Sequence, residues 1–400
     1  MQDEQEKVND PTMNILIWSP TGVGTHYSGP ATSTYRLFSA LKQQFPSVKF
    51  SLAHGSDEQE SSSHLFESQF KIVGVHQIGV NKSHFINKLR YLWKSYRWIK
   101  INAVNYDLIY MPVSNIYTLV PLLWFQRLEK PVVTRLASNH ELYNSSRLRK
   151  AIRLAEIRAW FLKKSQIVVA ISSDISKRLR KLGVPTDMIL DLPNLVDTER
   201  YTPRGIEARK SAKYSLGLDA NRFVVSVVGS ICPRKNQISL IKALCSLPDN
   251  IQLILAGPFI NDEYELRIKG LVNELNLVDR VTFTGHLDDV AGVYNASDLY
   301  CLPSTAEGMP NSLLEAMSSG LPSIASKIEG NSDLIGDGAS RGLYTDGTAE
   351  SLSSEINKLY SDSDLMLRLS ESARSFIEEK HSYNNNVPKL YGKFTSLVGE

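Results

Sequence analysis

Two carboxylates eight residues apart, Glu307 and Glu315, stand in the run Pro303-Ser-Thr-Ala-Glu-Gly-Met-Pro-Asn-Ser-Leu-Leu-Glu-Ala-Met-Ser-Ser-Gly-Leu-Pro322. A carboxylate accepts hydrogen bonds through both oxygens, so each glutamate can hold a pair of hydroxyls. Pro310 suits the first turn of a helix, Gly320 suits a left-handed helix stop, and Pro322 lies beyond it. The punctuation predicts a short helix over about 310–319, with Glu307 and Gly308 in the preceding loop. Its free N–H groups and positive dipole end can hold a phosphate, and Gly308 lets the backbone come close to a ligand. Glu315 falls one turn beyond Asn311 on the same face. An isolated pair of this kind reads as a capped helix with two solvated glutamates. The loop glycine and the helix punctuation together favour a pocket for a phosphorylated sugar.

A second constellation is Arg234-Lys235 in VVSVVGSICPRKNQ, in the loop after an apolar strand. It reads either as two solvated bases or as cations aimed at a departing nucleoside diphosphate, whose developing charge they would stabilise. A helix start disfavours cations, which favours the second reading. Gly22 and Gly24 begin a dinucleotide-type glycine pattern, but Tyr27 holds its third position and the fingerprint fails. Asp362-Ser-Asp364 lies between helical stretches and reads as capping chemistry. No His, Cys or Asp cluster has metal-ligand spacing, so neither metal nor cofactor is expected.

The elements that must position these residues alternate. Short apolar runs at 14–18, 49–53, 108–111, 131–134 and 167–171 predict strands, with helices near 31–45, 84–104, 116–128 and 146–164. A Pro-bearing polar linker at 193–205 interrupts the pattern, which restarts with strands at 223–228, 251–256, 280–284 and 299–303. The chain thus predicts two α/β, doubly wound units with a ligand in the cleft between them. Their expected extents are 13–200 and 201–380, after a frayed lead-in at 1–12. A terminal helix within 381–400 is expected to return to the first unit.

The 400 residues are 42% hydrophobic and 22% charged, enough for a sizeable core and unlike a disordered or fibrous chain. The first 200 carry 26 Lys and Arg against 17 Asp and Glu, a surplus of +9, while the rest carry a net −6. A basic first half should face an anionic partner. Segment 82–100, KSHFINKLRYLWKSYRWIK, spaces Leu89, Leu92, Trp93, Tyr96 and Ile99 as on a helix. It is either a core helix with a basic outer face or a contact with an anionic membrane, and the further bases at 147–164 favour the latter. No nucleic-acid-binding module accompanies the charge, so no nucleic acid is expected. Cys232, Cys245 and Cys301 read as free buried thiols of a reducing cytoplasm. The acidic N-terminus is no secretory signal, and no apolar run reaches the roughly 18 residues of a membrane span.

The stretch 303–322 resembles the E-x7-E signature of glycosyltransferase family 4, retaining enzymes of the GT-B fold. The likeness extends to G-S-I-C-P-R-K-N at 229–236, L-A-G-P at 255–258, V-T-F-T-G-H-L at 281–287, A-S-D-L-Y-C-L-P-S at 296–304 and P-N-L-V-D at 193–197. The resemblance implies that Glu307 meets the donor sugar and Glu315 the ribose. Gly229, Ser230, His286, Leu287, Gly308, Met309, Pro310, Asn311 and Ser312 would line the same donor site. Lys235 matches the family's lysine, whereas Ser230 stands where an arginine is usual, and Arg234 is the candidate to supply that charge. Gly29 would lie near donor phosphate and acceptor. The family's histidine after the 131–134 strand would be His140, with Asn139 or Arg135 as alternatives.

The implied reaction is retaining transfer of a hexose from a UDP- or GDP-sugar to a glycan or lipid-linked acceptor. The leaving phosphate itself would accept the acceptor's proton. Cell-surface polysaccharide or lipopolysaccharide synthesis, in the cytoplasm or at the inner face of the plasma membrane, is the expected setting. The alternatives are a GT-B nucleotide-sugar epimerase or hydrolase, and an idle GT-B binding module.

Overall fold

The computed structural model describes residues 12–19, 29–54, 71–74, 85–137 and 148–399. The chain forms two compact units, one of Met1–Asn194 with Asn384–Glu400 and one of Leu195–Tyr383.

The first unit is built on a seven-stranded sheet ordered β3-β2-β1-β4-β5-β6-β7, parallel at every pairing. Its strands are β1 (Asn14–Trp18), β2 (Lys49–His54), β3 (Lys71–Gly74), β4 (Leu108–Met111), β5 (Val132–Leu136), β6 (Ile167–Ala170) and β7 (Ile189–Asp191). Four of these, β1, β4, β5 and β6, are buried almost throughout, because helices cover both faces of a parallel sheet. One face packs Leu16, Trp18, Ile109, Met111 and Val132 against helices α2 (Phe85–Asn102) and α3 (Ile116–Arg127). Helix α4 (Leu148–Leu162) lies beside α3 in the same layer. On the opposite face, Phe38 of α1 (Gly29–Gln44) meets Tyr110 edge-on, and Tyr110 in turn meets Phe394 of the terminal helix Tyr383–Val398. Tyr391 stacks on Phe45, so that helix packs on the first unit.

The second unit repeats the arrangement with six strands ordered β10-β9-β8-β11-β12-β13, again all parallel. They are β8 (Phe223–Val228), β9 (Ile251–Ala256), β10 (Val281–Gly285), β11 (Leu299–Leu302), β12 (Ser323–Ser326) and β13 (Leu343–Thr345). Each sheet therefore shows the doubly wound order in which the chain starts at an inner strand, runs to one edge and returns to run to the other. The molecule is an α/β protein with two Rossmann-like units, the GT-B fold. In this order the loops after β8 and β11 diverge at the switch point, where open α/β sheets bind ligands.

Two sequence expectations change. Pro310 is not in the helix but is its N-cap, extended at φ −75° and ψ 118°, and the helix is Asn311–Ser318. Cys245 is exposed, unlike the buried Cys232 and Cys301, because it lies on a short surface turn, Leu244–Ser246, that closes the helix after β8. Asp362 caps the helix Ser363–His381 by accepting from the Leu365 N–H at 2.8 Å, as its spacing predicts.

Candidate functional site

The site residues of the second unit gather on two loops and one helix at the β8/β11 switch point. After β8 the backbone is pinned to the chain following β9, with Gly229 N donating to Ala256 O and Ile231 N to Pro258 O, each at 2.8 Å. This approach needs Gly257, at φ +144°. A Cβ there would stand 2.3 Å from Gly229 O. Ser230 lies within the same turn, and its carbonyl accepts from Gln237 Nε2 at 3.1 Å. The chain then turns through Pro233–Lys235 into Asn236, which adopts the left-handed conformation. Asn236 Nδ2 donates to Gly347 O at 2.9 Å and to Pro303 O at 3.3 Å, tying this loop to the one after β11.

That tie brings the basic pair onto Glu307. Lys235 Nζ and Arg234 Nη1 each stand 2.8 Å from the same oxygen, Glu307 Oε1. Arg234 also donates to Ala306 O at 2.7 Å, and its own carbonyl accepts from Thr305 N at 2.8 Å. Lys235 and Glu307 are nearly enclosed, while the Arg234 side chain is half open to solvent. Burial pushes the Glu307 carboxyl upward, but Lys235 first and Arg234 second outweigh it and hold the group below its ordinary range. Two cations on one carboxylate leave a local surplus of positive charge. An ammonium has three donors and a guanidinium five, so both can keep Glu307 and still meet an incoming anion. The expected pair of loop cations is thus real as a cluster, with Glu307 as its organiser.

The loop of Glu307 leads into the helix Asn311–Ser318. Glu315 is buried on it, and its Oε2 accepts from Tyr294 Oη at 2.8 Å. Tyr294 also donates to Ser312 O at 3.2 Å, and Tyr300 Oη donates to Ser312 Oγ at 2.8 Å. Burial, reinforced by the Glu315 charge, raises the Tyr294 phenol well above its usual value, so it stays a donor at neutral pH. Burial likewise raises Tyr300. At the far end, Arg374 donates to Ser318 O, satisfying a carbonyl at the helix C-terminus, and to Tyr201 O. Met309 and Pro310 are buried. Gly308 lies between them and Glu307, and it is backed by Gly330, whose absent Cβ would meet Glu307 O at 2.3 Å and Gly308 O at 2.6 Å.

His286 follows Gly285, which ends β10 with φ +66°. Its Nε2 stands 3.4 Å from Asp288 Oδ1 and the ring is half exposed, with Leu287 beside it in the same loop. These two lie two strands from the Gly229 turn, since β10 borders β9 and β9 borders β8.

In the first unit, Gly29 is the first residue of α1. His140 and Asn139 lie outside the described residues. Arg135 does not: it is buried at the end of β5, where Nη1 donates to Ser33 Oγ at 3.0 Å and Thr34 Oγ1 at 3.2 Å, and Nη2 donates to Asn194 Oδ1. Its partners among the described residues are all neutral.

Sequence reasoning missed Tyr294, Tyr300, Asn236 and Gly330. Tyr294 and Tyr300 look like core aromatics by pattern, and their hydroxyl bonds exist only once the helix lies against them. Gly330 sits in an unremarkable polar run, Ile328-Glu-Gly-Asn331. Asn236 had a local signal, an Asn closing a turn before a helix, because Asn tolerates the left-handed conformation.

Among the described residues, no group of three His, Cys, Asp or Glu could hold a metal ion. No described helix is long and apolar enough to cross a membrane.

Comparison with known proteins agrees with this architecture. Residues 208–376 match the family model "Glycosyl transferases group 1", and residues 27–200 match "Glycosyltransferase Family 4". The UDP-Gal:alpha-D-GlcNAc-diphosphoundecaprenol alpha-1,3-galactosyltransferase of Escherichia coli is 34% identical over 165 residues, 39% of this chain and 41% of that protein. The lipopolysaccharide core biosynthesis glycosyltransferase LpsD of Rhizobium meliloti (strain 1021) is 30% identical over 219 residues, 54% of this chain and 60% of that one. The matches thus span about half the length of these relatives. Among solved structures, Anabaena Alr3699/HepE in complex with UDP and glucose superposes with a TM-score of 0.77 at 22% identity, over 96% of this chain and all of that one. With the two family models spanning adjoining stretches that together make up most of the sequence, the chain belongs to the family-4, group 1 glycosyltransferases.

Proposed function

We propose that this protein transfers a hexose from a UDP- or GDP-sugar to a glycan or lipid-linked acceptor, with retention of anomeric configuration and without a metal ion. The observation that carries this reading is the placement of Lys235 and Arg234 on Glu307 at the β8/β11 switch point, in the loop that leads into the helix burying Glu315. The surplus positive charge would receive the diphosphate, and its attraction grows as the leaving group gains charge. Glu307, kept ionised, is an acceptor for sugar hydroxyls. Glu315, oriented by Tyr294, has the chemistry to hold a ribose diol. A phosphate oxygen of the leaving group would take the acceptor's proton, so no protein nucleophile is required.

Support for the donor comes from the UDP and glucose held by the Anabaena structure. Support for a lipid-linked or lipopolysaccharide acceptor, and so for a role in cell-surface glycan synthesis, comes from the activities named for the two relatives. A cytoplasmic setting, with such acceptors presented at the inner face of the plasma membrane, would suit this reaction.

The test is a thermal-shift panel of nucleotide sugars, followed by turnover with the stabilising donor and NMR assignment of the product anomer. Donor at 100 times its dissociation constant should add about 2.7 kcal/mol of stability. Turnover should survive EDTA and give a product with the donor's anomeric configuration. Donor consumption indifferent to every acceptor would instead mark an epimerase or hydrolase. Binding without turnover, unchanged in Glu307→Ala, would mark a binding module.

A further inference from the structure

The segment 197–203, near the start of the second unit, folds on itself before the first strand of that unit begins. Asp197 Oδ1 accepts from Glu199 N at 3.1 Å and Arg200 N at 3.0 Å, and Asp197 O accepts from Tyr201 N at 2.9 Å. The turn buries Tyr201, which is 2% exposed. Its carbonyl accepts from Ser318 Oγ at 2.7 Å and from Arg374 Nη1 at 2.6 Å, and Arg374 Nη2 donates to Thr198 O at 3.0 Å. Pro203 closes over the stop of the helix Asn311–Ser318: a Cβ on Gly320, which has φ +73°, would stand 2.8 Å from Pro203 Cγ. The segment is thereby fixed to the C-terminal end of the helix that carries Glu315.

The same segment reaches the side chain that orients that glutamate. The Tyr201 ring meets the Tyr294 ring edge-on, with 5.8 Å between centroids and 79° between planes. Tyr294 stands on the helix Ala291–Ala296 and donates to Glu315 Oε2 at 2.8 Å. Arg200 pairs with Asp289 at 2.9 Å, just ahead of that helix. This ion pair is exposed and contributes little, whereas the buried ring contact is both apolar and directional. One short stretch of chain therefore grips both helices whose side chains meet in the Tyr294–Glu315 bond.

We propose that Tyr294, backed by Tyr201, is a positioning residue for ribose specificity: the two fix the plane of the Glu315 carboxylate so that it accepts both hydroxyls of a ribose diol at once. The inference rests on the reading of Glu315 as the ribose acceptor and adds what enforces that choice. A glutamate carboxyl turns broadly about its last side-chain bond, so a bare one can follow a single hydroxyl as readily as a pair. A phenol donating to one oxygen removes that freedom, and the Tyr201 edge keeps the Tyr294 ring from turning aside. With the plane fixed, a nucleotide lacking the 2′-hydroxyl leaves a buried acceptor without its donor, which costs more than the bond alone is worth. A carboxylate free to turn would recover part of that loss.

The test is calorimetric titration of the full chain with UDP and 2′-deoxy-UDP, or with GDP and 2′-deoxy-GDP if GDP is the nucleotide bound. Wild type should bind the ribonucleotide about tenfold or more tightly than its deoxy analogue, the worth of a hydrogen bond to a carboxylate. Tyr294→Phe deletes one oxygen and keeps the ring, and the ratio should fall to about threefold or less. Tyr201→Leu should lower the ratio part of the way, while Tyr201→Phe, which keeps the ring edge, should preserve it. Should Tyr201→Leu fail to fold, Tyr294→Phe decides the matter alone. A merely structural role would weaken both nucleotides alike and leave the ratio where it was. A ratio abolished by Glu315→Gln but unchanged by Tyr294→Phe would overturn the proposal and leave Glu315 as the ribose acceptor. Equal wild-type affinity for the ribo and deoxy forms, or no binding of UDP or GDP, would overturn both.

Discussion

The two sheets repeat one strand order, yet their carboxyl edges carry opposite electrostatic solutions. In the second unit two cations converge on one carboxylate oxygen, and a buried glutamate answers them from a helix held by two phenols. In the first unit the buried Arg135 meets, among the described residues, only hydroxyls and an amide, Ser33, Thr34 and Asn194. Topology supplies a switch point in both places, and side chains decide what each does with it. A carboxylate between cations keeps them in place. A guanidinium tied by three neutral bonds holds α1 and the chain at Asn194 to β5, which is a positioning task.

That contrast predicts its own largest test. Lys235→Ala should lower kcat/KM by about 10²–10³, the loss seen when one preorganised charge donor is removed from a developing anion. Arg135→Gln should leave nucleotide binding to the second unit intact while lowering the unfolding temperature, and steady-state kinetics with calorimetric titration of the nucleotide separates the two. Equal loss of nucleotide affinity in both variants would erase the distinction between a binding edge and a positioning edge.

A smaller effect sharpens the account of the second edge. Gly257→Ala should destabilise the protein by roughly 3 kcal/mol or more, since the backbone is at φ +144° and the new Cβ would meet Gly229 O at 2.3 Å. Thermal unfolding reads this directly, and a neutral result would mean the Gly229 turn moves freely and is not pinned as described.

The smallest expectation concerns acid. The Glu307 carboxyl has its pKa lowered on folding, so its contribution to stability is full above the ordinary glutamate value of about 4.3 and is lost as pH falls through the lower folded value. Glu307→Gln should therefore flatten this part of the acid limb in pH-dependent unfolding, with little change in slope at neutral pH. An unaltered acid limb would show that Lys235 and Arg234 do not stabilise the ionised form.

Much of the fold was legible in the chain. FVVSVV and IQLILA became β8 and β9 residue for residue, because strands buried on both faces read as nearly continuous apolar runs. The strands that escaped notice, β3, β7, β12 and β13, are three or four residues long and partly polar, as in Ser323-Ile-Ala-Ser326. Such lengths hold too little pattern to separate from loops. In segment 82–100 the periodicity showed the helix but not which of its apolar residues faced the core. Ile99 went inward, whereas Leu89, Trp93 and Tyr96 went outward.

By itself the sequence determined the two-unit α/β plan, the short helix after Glu307 and the identity of its two glutamates. These depend on local pattern, punctuation and residue chemistry, which a linear chain displays. Tertiary structure decided that Arg234 and Lys235 share Glu307, that Tyr294 holds Glu315, and that Gly330 backs the Glu307 loop. Arg234 and Glu307 are 73 residues apart and meet only because β8 and β11 are neighbours in the sheet. Strand adjacency is a property of the assembled sheet, set by packing energy summed over both faces, and no local window of residues carries it.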